Sequence, residues 1–300
     1  MPRPTLHTWR TALVVVALVL IAPGGARAFA ANGASSALLR AAGAAEVQDV
    51  YVRPPQTVPA GERLQVLIAL HGMGGNGATF GGSLASLADE YGWLIVAPTL
   101  TYGDWTDPEQ VGLKDPALVA WLSDYVRHLG ERTGYAVEPR VLLFGHSRGA
   151  QLALRFTEIH PEEVLGVAAA SAGTYTLPAA TDQQTGQPLE FPFGVVNLAQ
   201  ADGGRPFDAY TFQSVPIWIG VGANDNNAAD VPDAWDPYLG DNRLQRATTF
   251  TSALQSMGAD VSMVVFPNTE HGLTDAVRQR GCEALAEAES NQTLFSARAT

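Results

Sequence analysis

"RVLLFGHSRGAQLAL" (Arg140–Leu154) joins a short apolar run to a segment of helical periodicity, with Gly145-His146-Ser147-Arg148-Gly149 at the junction. In a chain of 300 residues with 30 glycines, G-x-S-x-G arises by chance about 0.1 to 0.2 times, so its meaning rests on its flanks. Val141–Phe144 reads as a buried strand and Gly149–His160 as a helix. A serine at such a strand-to-helix turn takes a strained backbone, and the residues two positions away must be small for strand and helix to pass closely. Gly145 and Gly149 meet that need, which makes Ser147 the candidate nucleophile.

The same strand, turn, helix rhythm extends outward. "RLQVLIAL" (Arg63–Leu70) is the near-continuous apolar run of a strand buried on both faces. "SLASLADEYG" (Ser83–Gly92) looks helical, "WLIVAP" (Trp93–Pro98) is a strand, and Pro116–Gly134 is an amphipathic helix with Pro at its start and Gly after its end. Strands over Val164–Ser171, Val215–Gly222 and Val261–Pro267, with a helix over Arg243–Gly258 between the last two, complete the series. A first strand is expected over Val47–Val52. This alternation predicts an α/β fold, a mostly parallel sheet with helices on both faces, and ligand sites beyond the carboxyl ends of its strands. Composition does not break anywhere in 46–300, so one domain is expected. The rhythm fails over 172–214, where Tyr175, Phe191, Phe193, Phe207, Tyr210 and Phe212 stand among Pro, Gly and Gln. Its aromatic content predicts an ordered, cap-like insertion over the active edge of the sheet.

At the amino end, Arg3 and Arg10 precede "TALVVVALVLIA" (Thr11–Ala22), and Ala26-Arg27-Ala28 fits a small-x-small cleavage site. Residues 1–28 read as a signal peptide, so the mature protein is expected to be secreted, extracellular or periplasmic. The apolar run is shorter than the ~20 residues a bilayer-spanning helix needs, which argues against stable membrane insertion. Residues 29–45, rich in Ala and Gly, read as a flexible leader. Cleavage removes three of 18 basic side chains and none of the 30 acidic ones, so the formal charge moves from −12 to about −15. Such a balance disfavours nucleic acid and anionic membrane surfaces as partners. Cys282 is the only cysteine, so an internal disulfide is impossible.

A hydroxyl is a weak nucleophile at neutral pH and needs a positioned base, itself held by a carboxylate. His271, just past the last strand in "FPNTEHGLTDAV", is the candidate base. His128, within a helix, and His160, at a helix end before Pro161, read as surface residues. His146 adjoins the serine with its ring directed elsewhere, and His71 opens the loop "HGMGGNG". The acid should follow the preceding strand: Asp225 in "GANDNN" is first choice, with Asp230 and Asp233 as competitors. Two backbone N–H groups should form an oxyanion hole. Arg148, directly after the nucleophile, supplies one, and Met73 in the glycine-rich loop the other, with Gly74 as the alternative. Trp105, Tyr175 and His146 are candidate substrate contacts. The Arg148 side chain either meets a carboxylate on the substrate or pairs with an acidic loop, the second being preferred. The five aspartates between Asp225 and Asp241 invite a calcium reading, but they lack the glycine and terminal glutamate of an EF-hand loop, so no metal is expected.

In these motifs the chain resembles α/β-hydrolase-fold serine esterases, in particular secreted polyhydroxybutyrate-depolymerase-like and feruloyl-esterase-like hydrolases. The resemblance rests on "HGMGGNG" (His71–Gly77), "GHSRG" (Gly145–Gly149), "GANDNN" (Gly222–Asn227) and "TEHG" (Thr269–Gly272), in Ser, Asp, His order. "HPEEVLGVAAASAGTYTLP" (His160–Pro178) and "FPFG" (Phe191–Gly194) add to it, and it covers Arg63 to Ala276. It implies an α/β-hydrolase fold and cofactor-free cleavage of carboxylic esters, polymeric or small, through an acyl-enzyme on a Ser147-His271-Asp225 triad. The cysteine pairs common in extracellular depolymerases and an appended polymer-binding domain are lacking. The rival readings are a peptidase or amidase on the same triad, and a catalytically silent binding protein, which would commonly lack a triad member.

Overall fold

The computed structural model describes residues 36–58, 60–201 and 204–298, with side chains to residue 292. The expected signal peptide, residues 1–28, lies outside these. Seven strands, β1 (Val47–Arg53), β2 (Val66–Leu70), β3 (Leu94–Leu100), β4 (Val141–His146), β5 (Val164–Ala170), β6 (Ile217–Gly222) and β7 (Val261–Phe266), form one sheet in the order β1-β3-β2-β4-β5-β6-β7. Only β1 runs antiparallel to its neighbour. The expected α/β architecture is therefore present. The apolar runs of β2, β3, β5 and β6 are buried along their whole length, as strands covered on both faces must be.

Successive side chains of a strand point to opposite faces. Val66, Ile68 and Leu70 therefore enter one core and Leu67 and Ala69 the other. The first core is closed by α4 (Pro108–Arg127), α6 (Arg148–Ile159) and α10 (Arg243–Ser256), through residues such as Leu118, Leu152, Phe156 and Phe250. The second is closed by α2 (Gly77–Ser83), α3 (Ala85–Tyr91) and α11 (Asp275–Arg298), through Phe80, Ala88, Val277 and Leu285. Cys282 is buried in this second core, and burial pushes its thiol up to about 12, so it is an inert packing residue.

Three expectations are corrected. Helix α4 starts at Pro108 rather than Pro116, because the Asp107 carboxylate accepts the Glu109 N–H and Pro108 occupies the first turn, where its missing donor costs nothing. Part of the expected leader is helical: residues 36–44 form helix α1, and residues 29–35 lie outside the described residues. Gly43 lets α1 approach α4 so closely that a Cβ there would lie 2.0 Å from the Ala117 carbonyl oxygen.

The third correction concerns residues 172–214. The described residues of this segment, 172–201 and 204–214, border the active edge only at their start, and farther on they are held along the flank beside α6 and α10. Arg155 of α6 donates to the hydroxyls of Thr174 and Thr176, and Phe193 packs on Trp235 and Tyr238, next to and within α9 (Asp236–Leu239). At its far end Arg205 reaches His160 and Glu162, beyond the carboxyl terminus of α6. Tyr175 and Phe212 are buried and Phe191, Phe193 and Phe207 half-buried against the core of that flank, while Tyr210 is exposed, so most of these aromatic residues serve as core and do not form a cap. Between this segment and the carboxyl half of α10 lies a cavity of ≈ 450 Å³ lined by Leu177, Leu189, Tyr238, Thr249 and Met257, which includes none of the candidate catalytic side chains. Among the described residues no helix is long and apolar enough to cross a membrane.

Candidate active site

Ser147 occupies the single residue between β4 and α6, at φ 54° and ψ −117°, a conformation costly for a residue with a Cβ. The flanking glycines are dictated by contact. A Cβ on Gly145 would lie 2.4 Å from the Gly149 carbonyl oxygen, and one on Gly149 would lie 2.0 Å from that of Leu70. The Ser147 N–H donates to Ala170 O at 2.8 Å, tying the turn to β5.

The β6 and β7 loops are pinned together at the same edge. Ala223 and Asn224 N–H groups donate to the carbonyls of Phe266 and Thr269, and Gly222 leaves no room for a side chain beside Thr269. This brings Asp225 Oδ2 to 2.9 Å from His271 Nδ1, and His271 Nε2 to 3.0 Å from Ser147 Oγ. Beside a carboxylate Nδ1 carries the proton, which leaves Nε2 as the acceptor for the serine hydroxyl. Burial pushes the Asp225 carboxyl up, but the His271 hydrogen bond and the Arg243 guanidinium outweigh it and hold it below its ordinary value. Asp230 and Asp233 are exposed and do not join this chain; Asp230 contributes only its backbone carbonyl, to Arg243.

The other expected residues are distributed as follows. His71 is buried, its Nε2 accepting the Leu100 N–H and its Nδ1 donating to Gly72 O, so it anchors the glycine-rich loop to β3. A Cβ on Gly72 would stand 3.3 Å from the Ser147 Cβ, which sets that loop directly against the serine. Met73 follows, exposed, and Gly74 turns the chain at φ 69°. His146 stacks on His271. Trp105 is half-buried against Gly173 and the Arg243 guanidinium. Tyr175, in contrast, is 1% exposed and stacked on Phe250, so it lies in the core rather than on a pocket wall. His160 is buried too, bonded to Arg205, not a surface residue.

The Arg148 side chain pairs with an acid, but with Asp115 in the middle of α4 rather than with an acidic loop. Asp115 also holds Arg155 at 2.6 Å, and all three side chains are buried. Sequence reasoning missed this triad of charges, and it missed Arg243 and Arg246. Arg246 ties together the carbonyls of Gly173, Pro232 and Gly240 and the Asp236 carboxylate, fixing the loops that border the site. The one available signal was that arginine recurs inside apolar helix faces, at 155 in α6 and at 243 and 246 in α10.

The chain aligns from residue 65 to 260 with the family model described as the alpha/beta hydrolase fold. A search of curated protein sequences returns no match. Among solved structures, a poly(3-hydroxybutyrate) depolymerase from Bordetella parapertussis superposes with a TM-score of 0.55 at 22% identity, covering 82% of this chain and 84% of that one. Poly(aspartic acid) hydrolase-1 from Sphingomonas sp. KT-1 gives 0.54 at 21% identity, over 82% and 92%. A phospholipase/carboxylesterase from Dyadobacter fermentans gives 0.51 at 21%, over 80% and 97%. At these identities the likeness is one of fold, and with the family match spanning most of the sequence, the chain belongs to the α/β-hydrolase fold family.

Proposed function

We propose that the protein is an exported carboxylic-ester hydrolase that works through an acyl-enzyme on Ser147, with His271 as base and Asp225 as the carboxylate that orients it. The observation that carries this reading is the unbroken chain from Ser147 Oγ to His271 Nε2 at 3.0 Å and from His271 Nδ1 to Asp225 at 2.9 Å. As Oγ attacks the ester carbonyl carbon, its proton passes to Nε2 and the carbonyl electron pair moves onto oxygen. Asp225 stays ionised and stabilises the imidazolium. Collapse of the tetrahedral intermediate breaks the bond to the alkoxide, which takes the Nε2 proton and departs as alcohol. Water then repeats the cycle and releases the acid.

The N–H groups of Arg148 and Met73, with Gly74 as the alternative to Met73, are assigned to the developing oxyanion, each worth on the order of 3 kcal/mol. Support comes from the glycine-rich loop lying against Ser147 and from the position of Arg148 in the first turn of α6, where N–H groups have no helical partner. Half-buried Trp105 is placed as a wall for the bound ester. His271 keeps 31% of its side chain exposed, which suits an ester presented on a larger molecule as well as a small one. With Arg148 committed to Asp115 and a net charge of −12, neutral esters fit better than carboxylate-bearing ones.

The test is hydrolysis of p-nitrophenyl esters from acetate to long acyl chains by residues 29–300, beside a folded Ser147→Ala control. Turnover lost in the control is expected, and the chain-length optimum reports the depth of the acyl site. Turnover of anilides in place of esters would move the reading to an amidase, and no turnover of either to a binding role.

A further inference from the structure

Arg243 opens α10, and its side chain is 6% exposed. Nη1 donates to Asp225 Oδ1 at 3.1 Å and Nη2 to the Asp230 carbonyl at 2.7 Å, while the Trp105 ring lies 6.0 Å from the guanidinium carbon. The next residue, Leu244, donates its N–H to the Asp225 carbonyl at 3.2 Å. The first turn of α10 thus grips both the backbone and the outer carboxylate oxygen of Asp225, and His271 takes the inner oxygen. A carboxylate held at both oxygens cannot rotate about Cβ–Cγ, a rotation that would carry Oδ2 out of line with His271 Nδ1.

A cation at this distance also draws on the carboxylate's charge. Alone, Asp225 would give its full field to the imidazolium; shared with a guanidinium it gives less, and the guanidinium repels the imidazolium directly. We infer that Arg243 is a positioning residue that fixes the Asp225 carboxylate in line with His271 and shares the carboxylate's charge with it. This rests on the triad reading given above. The groups that face the pair are few: Ser147 and the His146 imidazole on the β4 turn, Arg278 of α11, whose charge reaches His146, and Tyr175 and Arg246 on the Asp225 side. Arg278 is answered by Asp275, and Arg246 by Asp236, whereas Arg243 has Asp225 as its only carboxylate partner among the described residues.

The experiment is the pH profile of kcat/KM for p-nitrophenyl acetate with the wild type, Arg243→Gln and Arg243→Lys, each checked for folding by circular dichroism. The acid limb reports the free enzyme's base. The Gln variant is expected to move that limb up by about 0.5–1 pH unit and to lower kcat at least tenfold. The Lys variant keeps the charge and the limb, yet loses kcat, because one ammonium does not reproduce the planar fork. An unmoved limb in folded Arg243→Gln, or wild-type kcat in Arg243→Lys, would overturn the inference. If the Gln variant does not fold, the Lys variant decides alone, since a raised limb or an unchanged kcat would contradict it. Fluorophosphonate labelling of the same wild-type sample separates the two levels: no label on Ser147 sinks the triad reading itself, whereas a labelled enzyme that fails the pH test sinks only the role of Arg243.

Discussion

His146 lays its imidazole against that of His271, with ring centroids 5.2 Å apart and planes inclined by 27°. Burial first, and the neighbouring His271 second, lower His146 to about 4. Of the stacked pair, His271 is the ring that faces the serine, with Nε2 3.0 Å from Ser147 Oγ.

This contact has a stability signature. The unfolded chain binds a proton at His146 near pH 6.5 and the folded chain only near 4, so stability is full above 6.5 and falls as pH drops towards 4. The loss is on the order of 3 kcal/mol. Denaturant melts at pH 7, 5.5 and 4.5 should show it, and His146→Gln should flatten the slope, leaving the part due to buried His71, which burial also lowers. An identical slope in the variant would contradict the assignment.

Of the three aspartates the sequence offers as the orienting acid, only Asp225 reaches His271. Asp225→Asn is expected to reduce kcat by about 10⁴ with the fold intact, through the wrong imidazole tautomer. Asp230→Asn and Asp233→Asn, at exposed positions, should stay within about twofold of wild type in the same ester assay.

Gly149 has its missing side chain replaced by the Leu70 carbonyl, 2.0 Å from where a Cβ would stand. Gly149→Ala must separate β2 from α6, at a cost of about 3 kcal/mol or more in urea unfolding. A variant as stable as wild type would mean that the elbow is looser than this contact requires.

Asp115 lies between two buried arginines, whose charges outweigh the effect of burial and hold its carboxyl below the ordinary value. Asp115→Asn leaves both guanidinium groups without a counter-charge, and a loss of about 3–5 kcal/mol is expected. Arg148→Met should lower stability without changing the KM ratio between neutral and carboxylate-bearing esters. A selective change in that ratio would return Arg148 to the substrate.

The strands, the elbow and the approximate places of Ser147, Asp225 and His271 were legible because each is fixed locally, by an apolar run or by glycines that a close approach demands. The course of 172–214 was not, since aromatic residues read alike whether they cap a cleft or fill a flank, and only the partners Trp235, Tyr238 and Phe250 decide. For the same reason Tyr175 could be taken for a pocket wall. The Asp115–Arg148–Arg155 cluster and the Arg243–Asp225 pair were hidden because their members lie 33 and 18 residues or more apart, and no local pattern announces which buried charge will answer another.

Ser147 is assigned as a nucleophile that His271 activates. The most direct test is peptide mass spectrometry after treatment with a fluorophosphonate, which phosphonylates only an activated serine. A single adduct on the peptide containing Ser147, lost in His271→Ala, is expected. A folded protein that takes no label, or takes it on another serine, would contradict the assignment.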